Sequence, residues 1–289
     1  MKSWKQSQAE FNERAGRNNN LLVVDGLNLA FRWKHNKRKP FASDYVRTVQ
    51  SLAQSYGARR VIIVTDKGKS IFRKEIFPEY KANRDERFAN KTDDEKEDDR
   101  IFFEYYHEAL KLCETTFPTF YQKGVEADDL AGIIVKVMLE EDTYDTIWLV
   151  STDGDWDTLL ADKGRVKRFS YKTRREYTTE TMYEEHGVDT VEQFISLKAI
   201  QGDLGDNIRG VDGIGPKRCY GLLREYGDVI GILDNIPLPG KQMFIKNLNE
   251  SYDLIERNIQ LVDLPSFCEE AVEAAGYLEE FVQELRKLV

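Results

Sequence analysis

The sequence predicts an α/β chain: a mostly parallel sheet flanked by helices, followed by a helical lobe. Three observations carry this. The uninterrupted apolar runs Leu21-Leu22-Val23-Val24, Val61-Ile62-Ile63-Val64 and Ile147-Trp148-Leu149-Val150 have the length and branching of strands buried on both faces. Segments of helical periodicity alternate with them, the pattern of parallel strands joined by crossover helices. After about residue 178 the strand signals stop and short helices follow.

In chain order, a strand over 21–25 leads into a helix from about 26 to 34 and a second over 43–56, then a strand over 61–65. Helix, loop and helix fill 67–115. There Glu75, Lys81, Arg84, Asp85 and Arg87 mark solvated faces, and Phe77-Pro78 marks a break because the residue before proline is pushed out of helical geometry. A strand over 117–121, a helix over 126–140 and a strand over 146–151 complete the alternation. The excursion between the second and third strands is far longer than an ordinary connection, and excursions of that size are commonly functional. The expected organisation is an α/β unit over 20–178, with 67–115 as an insertion, and a helical lobe over 179–289 that ends in a helix from Ala274.

Composition narrows the class. With 289 residues, 41% of them hydrophobic and 32% charged, this is an ordinary globular chain. No apolar run approaches the ~18 residues of a membrane span, and Met1 to Asn20 lacks the apolar stretch of a signal peptide. Cys113, Cys219 and Cys268 are odd in number and form no CxxC pair, which points to a reducing cytoplasm and away from zinc or a disulfide frame. Nothing in the sequence suggests other than a monomer.

The net charge of −9 disfavours nucleic acid at face value, but its distribution does not. Positive charge gathers in three patches: Arg32 with Lys34, Lys37, Arg38 and Lys39; Lys67 through Arg87; and Lys163 through Arg175. Trp33, Phe72, Tyr80, Phe169 and Tyr171 are interleaved with them, offering charge for a phosphate backbone and rings for unpaired bases. For any single patch a solvated face is the plainer explanation.

The acids are more telling. Asp25, Asp66 and the pair Asp153/Asp155 each follow one of the three apolar runs; Glu126/Asp128/Asp129 and Asp203/Asp206 form two further clusters. The carboxyl ends of parallel strands face one crevice, so these acids should converge. Converging carboxylates repel and take up protons unless a cation lies between them. Hard oxygen ligands in that number suit Mg²⁺ or Mn²⁺. Asp25 alone would be explained as a helix N-cap, and Asp145, Asp157 and Asp162 are assigned to that role. The coincidence of five clusters, two with acids three apart on a helical face, favours a metal site.

In the helical half, Gly210-Val211-Asp212-Gly213-Ile214-Gly215-Pro216-Lys217-Arg218 resembles a helix-hairpin-helix element near 196–226. Pro216 suits the first helical position, and exposed backbone N–H groups with the positive helix end behind them favour a phosphate. Gly68-Lys69-Ser70 is no P-loop, since Ile63 stands where its first glycine is needed, and no G-x-G-x-x-G follows the first strand. His35, His107 and His186 show no metal spacing, and His107 and His186 are expected at the surface or at helix ends.

The combination of Val24-Asp25-Gly26-Leu27-Asn28, Tyr80-Lys81-Ala82-Asn83-Arg84, Gly124-Val125-Glu126-Ala127-Asp128-Asp129, Ser151-Thr152-Asp153-Gly154-Asp155-Trp156-Asp157 and Gly202-Asp203-Leu204-Gly205-Asp206-Asn207 resembles the flap endonuclease/5′-3′ exonuclease family, in particular the stand-alone enzymes of T-odd-type bacteriophages. The resemblance implies a PIN/5′-nuclease-like sheet with a helical arch, and hydrolysis of DNA at 5′ flaps and 5′ ends to leave a 5′-phosphate. It implies two Mg²⁺ or Mn²⁺ ions, with Asp25, Asp66, Glu126, Asp128, Asp129 and Asp153 as the inner set and Asp155, Asp203 and Asp206 as the outer. Lys81 and Arg84, three apart on a presumed helix, would face the scissile phosphate and Tyr80 would stack on a base. Arg32 and His35 would guide the single strand. Gly213, Gly215, Lys217 and Arg218, with Lys241, would hold the duplex, and relatives bind K⁺ at the hairpin through backbone carbonyls. The chain carries no polymerase-length extension or sliding-clamp peptide, so it is expected to work beside a separate DNA polymerase, in the host cytoplasm if phage-encoded. Two rivals are a PIN-like ribonuclease, which would lack the hairpin and the arch-length insertion, and a non-catalytic DNA-binding protein, which would have no need for the acids.

Overall fold

Strands β1 (Asn20–Asp25), β2 (Ala58–Val64), β3 (Thr119–Phe120), β4 (Thr146–Val150), β5 (Val166–Ser170) and β6 (Arg175–Tyr177) form one sheet in the order β3-β2-β1-β4-β5-β6. The computed structural model describes residues 19–35, 39–161 and 164–289. Neighbouring strands run parallel except β5 with β6. This is a doubly wound order, in which the chain leaves β1 in opposite directions and a crevice opens beyond the carboxyl ends of β1 and β4. Register fixes its floor: Asp25 is level with Val64 and Val24 with Val150, so the residues that follow β1, β2 and β4 emerge side by side.

The helices up to the end of the sheet are α1 (Gly26–Ala30), α2 (Ala42–Ser55), α3 (Ile71–Ile76), α4 (Ala82–Ala89), α5 (Asp93–Glu114) and α6 (Ala127–Glu140). Alternate residues of β1 serve opposite cores. Leu21 and Val23 pack toward α6, whereas Leu22 and Val24 pack toward α1, α2 and the second half of α5. Helix α6 is apolar nearly all round and correspondingly buried. That fixes its first turn, with the 126–129 acids, at the crevice. The acidic run at Asp93 belongs to the start of α5, where Thr92 and Glu95 form a capping box and negative charge complements the helix dipole.

Beyond the sheet come α7 (Met182–His186) and α8 (Val191–Gln201), then the two-stranded hairpin β7 (Gly202–Asp203) and β8 (Ile208–Arg209). Next are α9 (Pro216–Tyr226), α10 (Val229–Asp234), α11 (Met243–Asn249), α12 (Tyr252–Val262), α13 (Leu264–Glu273) and α14 (Leu278–Arg286). Residues of α8 through α12 share a core of their own that also takes in Tyr80 and Leu160. Among the described residues no helix is long and apolar enough to cross a membrane, and all three cysteines are free and buried.

Several expectations are corrected. The stretch expected to be only a basic patch contains β5 and β6, and Arg168 is buried there with its guanidinium 4.0 Å over Tyr177. The helix expected over 26–34 becomes α1 and a 3₁₀ turn, Phe31–Trp33. Only Thr119–Phe120 of the expected 117–121 pairs as a strand. The tail is not one helix from Ala274: α13 ends before it and α14 begins at Leu278. Both helices return to the sheet, with Cys268, Val272, Phe281 and Leu285 in its core, because their apolar faces complete the cover over α6. Lys37, Arg38, Asp162 and Lys163 lie outside the described residues.

Candidate metal centre and active site

The crevice collects the acids from five segments, and the residues around them divide it in three. In the middle lie Asp25, Asp66, Asp128 and Asp153. Asp25, at the end of β1, is buried and caps α1 through Asn28 N (3.1 Å) while accepting from Ser151 Oγ (3.0 Å). The cap of α1 thus also lies among the clustered acids. Burial, then the neighbouring Asp66, push its carboxyl up to about 8. Asp66, at the open edge, accepts from Ala127 N at 2.7 Å; the surrounding protein and Glu126 raise it. Asp128 accepts from Trp156 Nε1 at 2.6 Å and is raised well above the carboxylate range by burial, with Asp153, Asp66 and Asp25 adding to it. Asp153 begins the 3₁₀ turn Gly154–Leu159, with its carboxylate accepting from Asp155 N at 3.0 Å.

One flank is held by Tyr80, Lys81 and Arg84. Glu126, the cap residue of α6, accepts from Lys81 Nζ at 2.8 Å and from the Tyr80 hydroxyl at 2.9 Å. Although burial opposes it, Lys81 and Arg73 hold Glu126 below its ordinary value. Asp206 accepts from Arg84 at 2.6 Å and Tyr80 at 3.1 Å, with Lys81 Nζ 3.6 Å away. The other flank is held by Lys198 of α8, which pairs with Asp155 and lies 2.9 Å from Asp203. Burial and Asp153 carry Asp155 to about 6 against the pull of Lys198; Asp203, despite partial burial, is lowered by that same lysine.

Among the described residues no Lys or Arg lies within salt-bridge distance of the four middle acids, and no three acidic, His or Cys side chains already close on one coordination point. The middle therefore crowds carboxylates with no cation in direct contact; Lys81 and Arg84 act on Asp66, and Lys81 on Asp128, only from beyond pairing distance. Oxygen-only donors in that number fit a hard divalent cation.

Other expected residues fall elsewhere. Asp129 departs from the inner set: it is fully buried, and both its oxygens accept from Arg73, at 2.7 and 2.8 Å. Lys81 is not on a helix face with Arg84; it precedes α4 in left-handed conformation, φ 55°. Tyr80 is buried with its hydroxyl on two carboxylates, so its ring has no free face for a base. Phe72 packs on Phe267, Trp33 stacks on Phe41, and Tyr171 donates to Asn28 O, so these rings also serve packing. Asp157 is no mere cap: it lies buried between Arg168 (2.6 and 2.7 Å) and Nε2 of His186 (2.8 Å), which stands at the end of α7 as expected.

Toward the nucleic-acid contacts expected from the sequence, Arg32 is exposed beside Trp33, and His35 lines a cavity of about 450 Å³ with Lys34, Lys39 and Phe41. Gly213 adopts φ 82°, Gly215 precedes α9, and Lys217 and Lys241 are exposed. Arg218 instead turns back, donating to Gly213 O at 2.5 Å and lying 4.6 Å over Phe244. Sequence reasoning missed Lys198, Arg73 and Trp156. Lys198 is five residues before Asp203, a spacing with no helical meaning across the Gly202 bend, and Arg73 sits 56 positions from Asp129.

Residues 20–187 match the 5′-3′ exonuclease N-terminal resolvase-like domain, and residues 189–279 match the 5′-3′ exonuclease C-terminal SAM fold. The flap endonuclease of Escherichia phage T5 is 57% identical over 290 aligned residues, covering 99% of this chain and 98% of that one. A DNA polymerase I of Streptococcus pneumoniae is 33% identical over 75% of this chain and 25% of its own length. Among solved structures, a bacteriophage T5 flap endonuclease in a pseudo-enzyme–product complex with DNA and metal ions superposes with a TM-score of 0.89 at 59% identity, covering 93% of this chain and 98% of that one.

Proposed function

The chain belongs to the 5′-3′ exonuclease family, as a metal-dependent flap endonuclease and 5′-3′ exonuclease acting on DNA, and from that premise we propose that two Mg²⁺ ions, replaceable by Mn²⁺, are held at Asp25, Asp66, Glu126, Asp128 and Asp153, with Asp155, Asp203 and Asp206 around them. The observation that carries this reading is the middle group of carboxylates at the crevice of the sheet, raised by burial and by one another with no Lys or Arg in salt-bridge contact. Ions bound there supply activation of water and stabilisation of the leaving oxygen.

The chain's own residues do the rest. With Glu126 and Asp206 neutralised, Lys81 and Arg84 remain as cations to meet the scissile phosphate, the arginine able to fork across two oxygens. Lys198 pairs with Asp155 and holds Asp203 ionised. The turn at Gly213–Lys217, with α9 behind it, presents backbone N–H groups to the phosphates of the duplex, and its carbonyls are the place for K⁺. The 5′ single strand joined to that duplex passes Arg32 and His35. A monomer in the host cytoplasm working beside a separate DNA polymerase suits this reading; three free, buried cysteines agree with a reducing compartment.

The test is cleavage of a labelled 5′-flap duplex and of single-stranded RNA, each with and without Mg²⁺. Flap cleavage that requires Mg²⁺, with RNA left intact, is the expected result. Preferential cleavage of RNA would turn the assignment toward a PIN-like ribonuclease, and flap binding without cleavage toward a non-catalytic binding protein.

A further inference from the structure

Two non-glycine residues in left-handed conformation lie beside each other on one flank of the crevice, Lys81 (φ 55°) and Asn207 (φ 63°). Such geometry persists only where surrounding contacts over-determine it. Those contacts run both ways. From the arch side, Asn83 Nδ2 donates to Leu204 O (2.9 Å) and Gly205 O (3.3 Å), and Lys81 N donates to Asp206 O (2.9 Å). From the acidic turn, Asn207 Nδ2 donates to Glu79 O at 2.9 Å.

Every one of these bonds ends on a backbone carbonyl. They are indifferent to the ionisation of Glu126 and Asp206, unlike the contacts that Lys81, Arg84 and Tyr80 make with those carboxylates. Helix α4 has no buried residue of its own, so beyond Tyr80 and the ion pairs of Arg84 and Asp85 its base is fixed by these neutral bonds.

We propose that Asn83 and Asn207 form a neutral clasp and are positioning residues for Lys81 and Arg84. The clasp keeps the arch base in register with Asp206 while the charged side chains exchange carboxylate partners for substrate phosphate. This rests on the phosphate role of Lys81 given above and names the device that supports it.

The test is single-turnover cleavage of a labelled 5′-flap duplex in Mg²⁺ by Asn83→Ala and by Asn207→Gly, the latter chosen because glycine accepts positive φ and so removes only the amide. Each variant should lose about tenfold in rate, the scale of one hydrogen bond, with flap affinity in Ca²⁺ changed less than about twofold on that same scale. In a Lys81→Ala background Asn83→Ala should cost less than in the unmutated chain, because part of its effect acts through that lysine. Amide exchange over residues 203–207 in the Mg²⁺-loaded protein should speed up in Asn83→Ala. Additive losses in the two backgrounds, a loss wholly in flap affinity, or unchanged rate and exchange would overturn the clasp. Failure of the unmutated protein to cleave in Mg²⁺ would instead overturn the reading of the metal centre itself.

Discussion

Asp128 and Asp129 are neighbours in the first turn of α6 and meet opposite surroundings. Asp129 points behind the crevice into a dry seam, where Arg73 takes both its oxygens and also donates to Leu261 O at 3.1 Å, tying α3, α6 and the end of α12 together. Asp128 points forward among Asp25, Asp66 and Asp153, accepting from the Trp156 indole N–H and with no cation at contact. Sequence shows two equal carboxylates. Structure separates one that is paired within the protein from one that is not, and the proposed metal site rests on the unpaired ones.

The sharpest way to break this contrast is substitution on both sides of it. Asp153→Asn, in front, should reduce flap cleavage to background while leaving flap affinity largely intact, because no basic residue is touched; normal single-turnover rates would refute the division. Asp129→Asn, behind, should do the reverse. It leaves Arg73 buried without its partner, which costs about 3–5 kcal/mol and lowers the melting temperature by roughly 10 °C, while cleavage per folded molecule falls only severalfold. If Asp129→Asn abolishes cleavage at unchanged stability, Asp129 belongs with the front group.

Lys81→Ala removes the flank's cation and should slow single-turnover cleavage by about a hundredfold, the scale of one preorganised electrostatic group, with a smaller change in binding. The gentlest test is thermal. Asp25 has its folded-state pKa raised to about 8 and Asp155 to about 6. A raised acid binds its proton more tightly folded than unfolded, so its contribution is full below the unfolded value near 3.8 and is lost as pH rises through the folded value. Stability of the metal-free protein should therefore decline between about pH 4 and pH 8. Mg²⁺ binds the ionised acids, so the rise in melting temperature it produces should be larger at pH 8 than at pH 6. Equal shifts at both pH values would count against proton–metal competition at these groups.

Much of this was legible in the sequence for a definite reason. Buried parallel strands are continuous apolar runs, so β1, β2 and β4 and the acids at their ends stood out. β5 and β6 did not, because Lys167, Arg168, Arg175 and Glu176 break the apolar pattern; Arg168 is neutralised by Asp157, a pairing no local spacing announces. The position of Asp206 beside Lys81 and of Asp155 beside Lys198 joins segments far apart in the chain, as does the seam at Arg73. Sequence thus identified the acids but not their partners, and the partners decide which acids are free to bind metal.

The central claim is most directly tested by anomalous scattering from crystals soaked in Mn²⁺. The account predicts ions in the crevice coordinated by Asp25, Asp66, Glu126, Asp128 or Asp153, with Asp129 still bonded to Arg73. Ions ligated by Asp129, or none between the ends of β1 and β4, would contradict it.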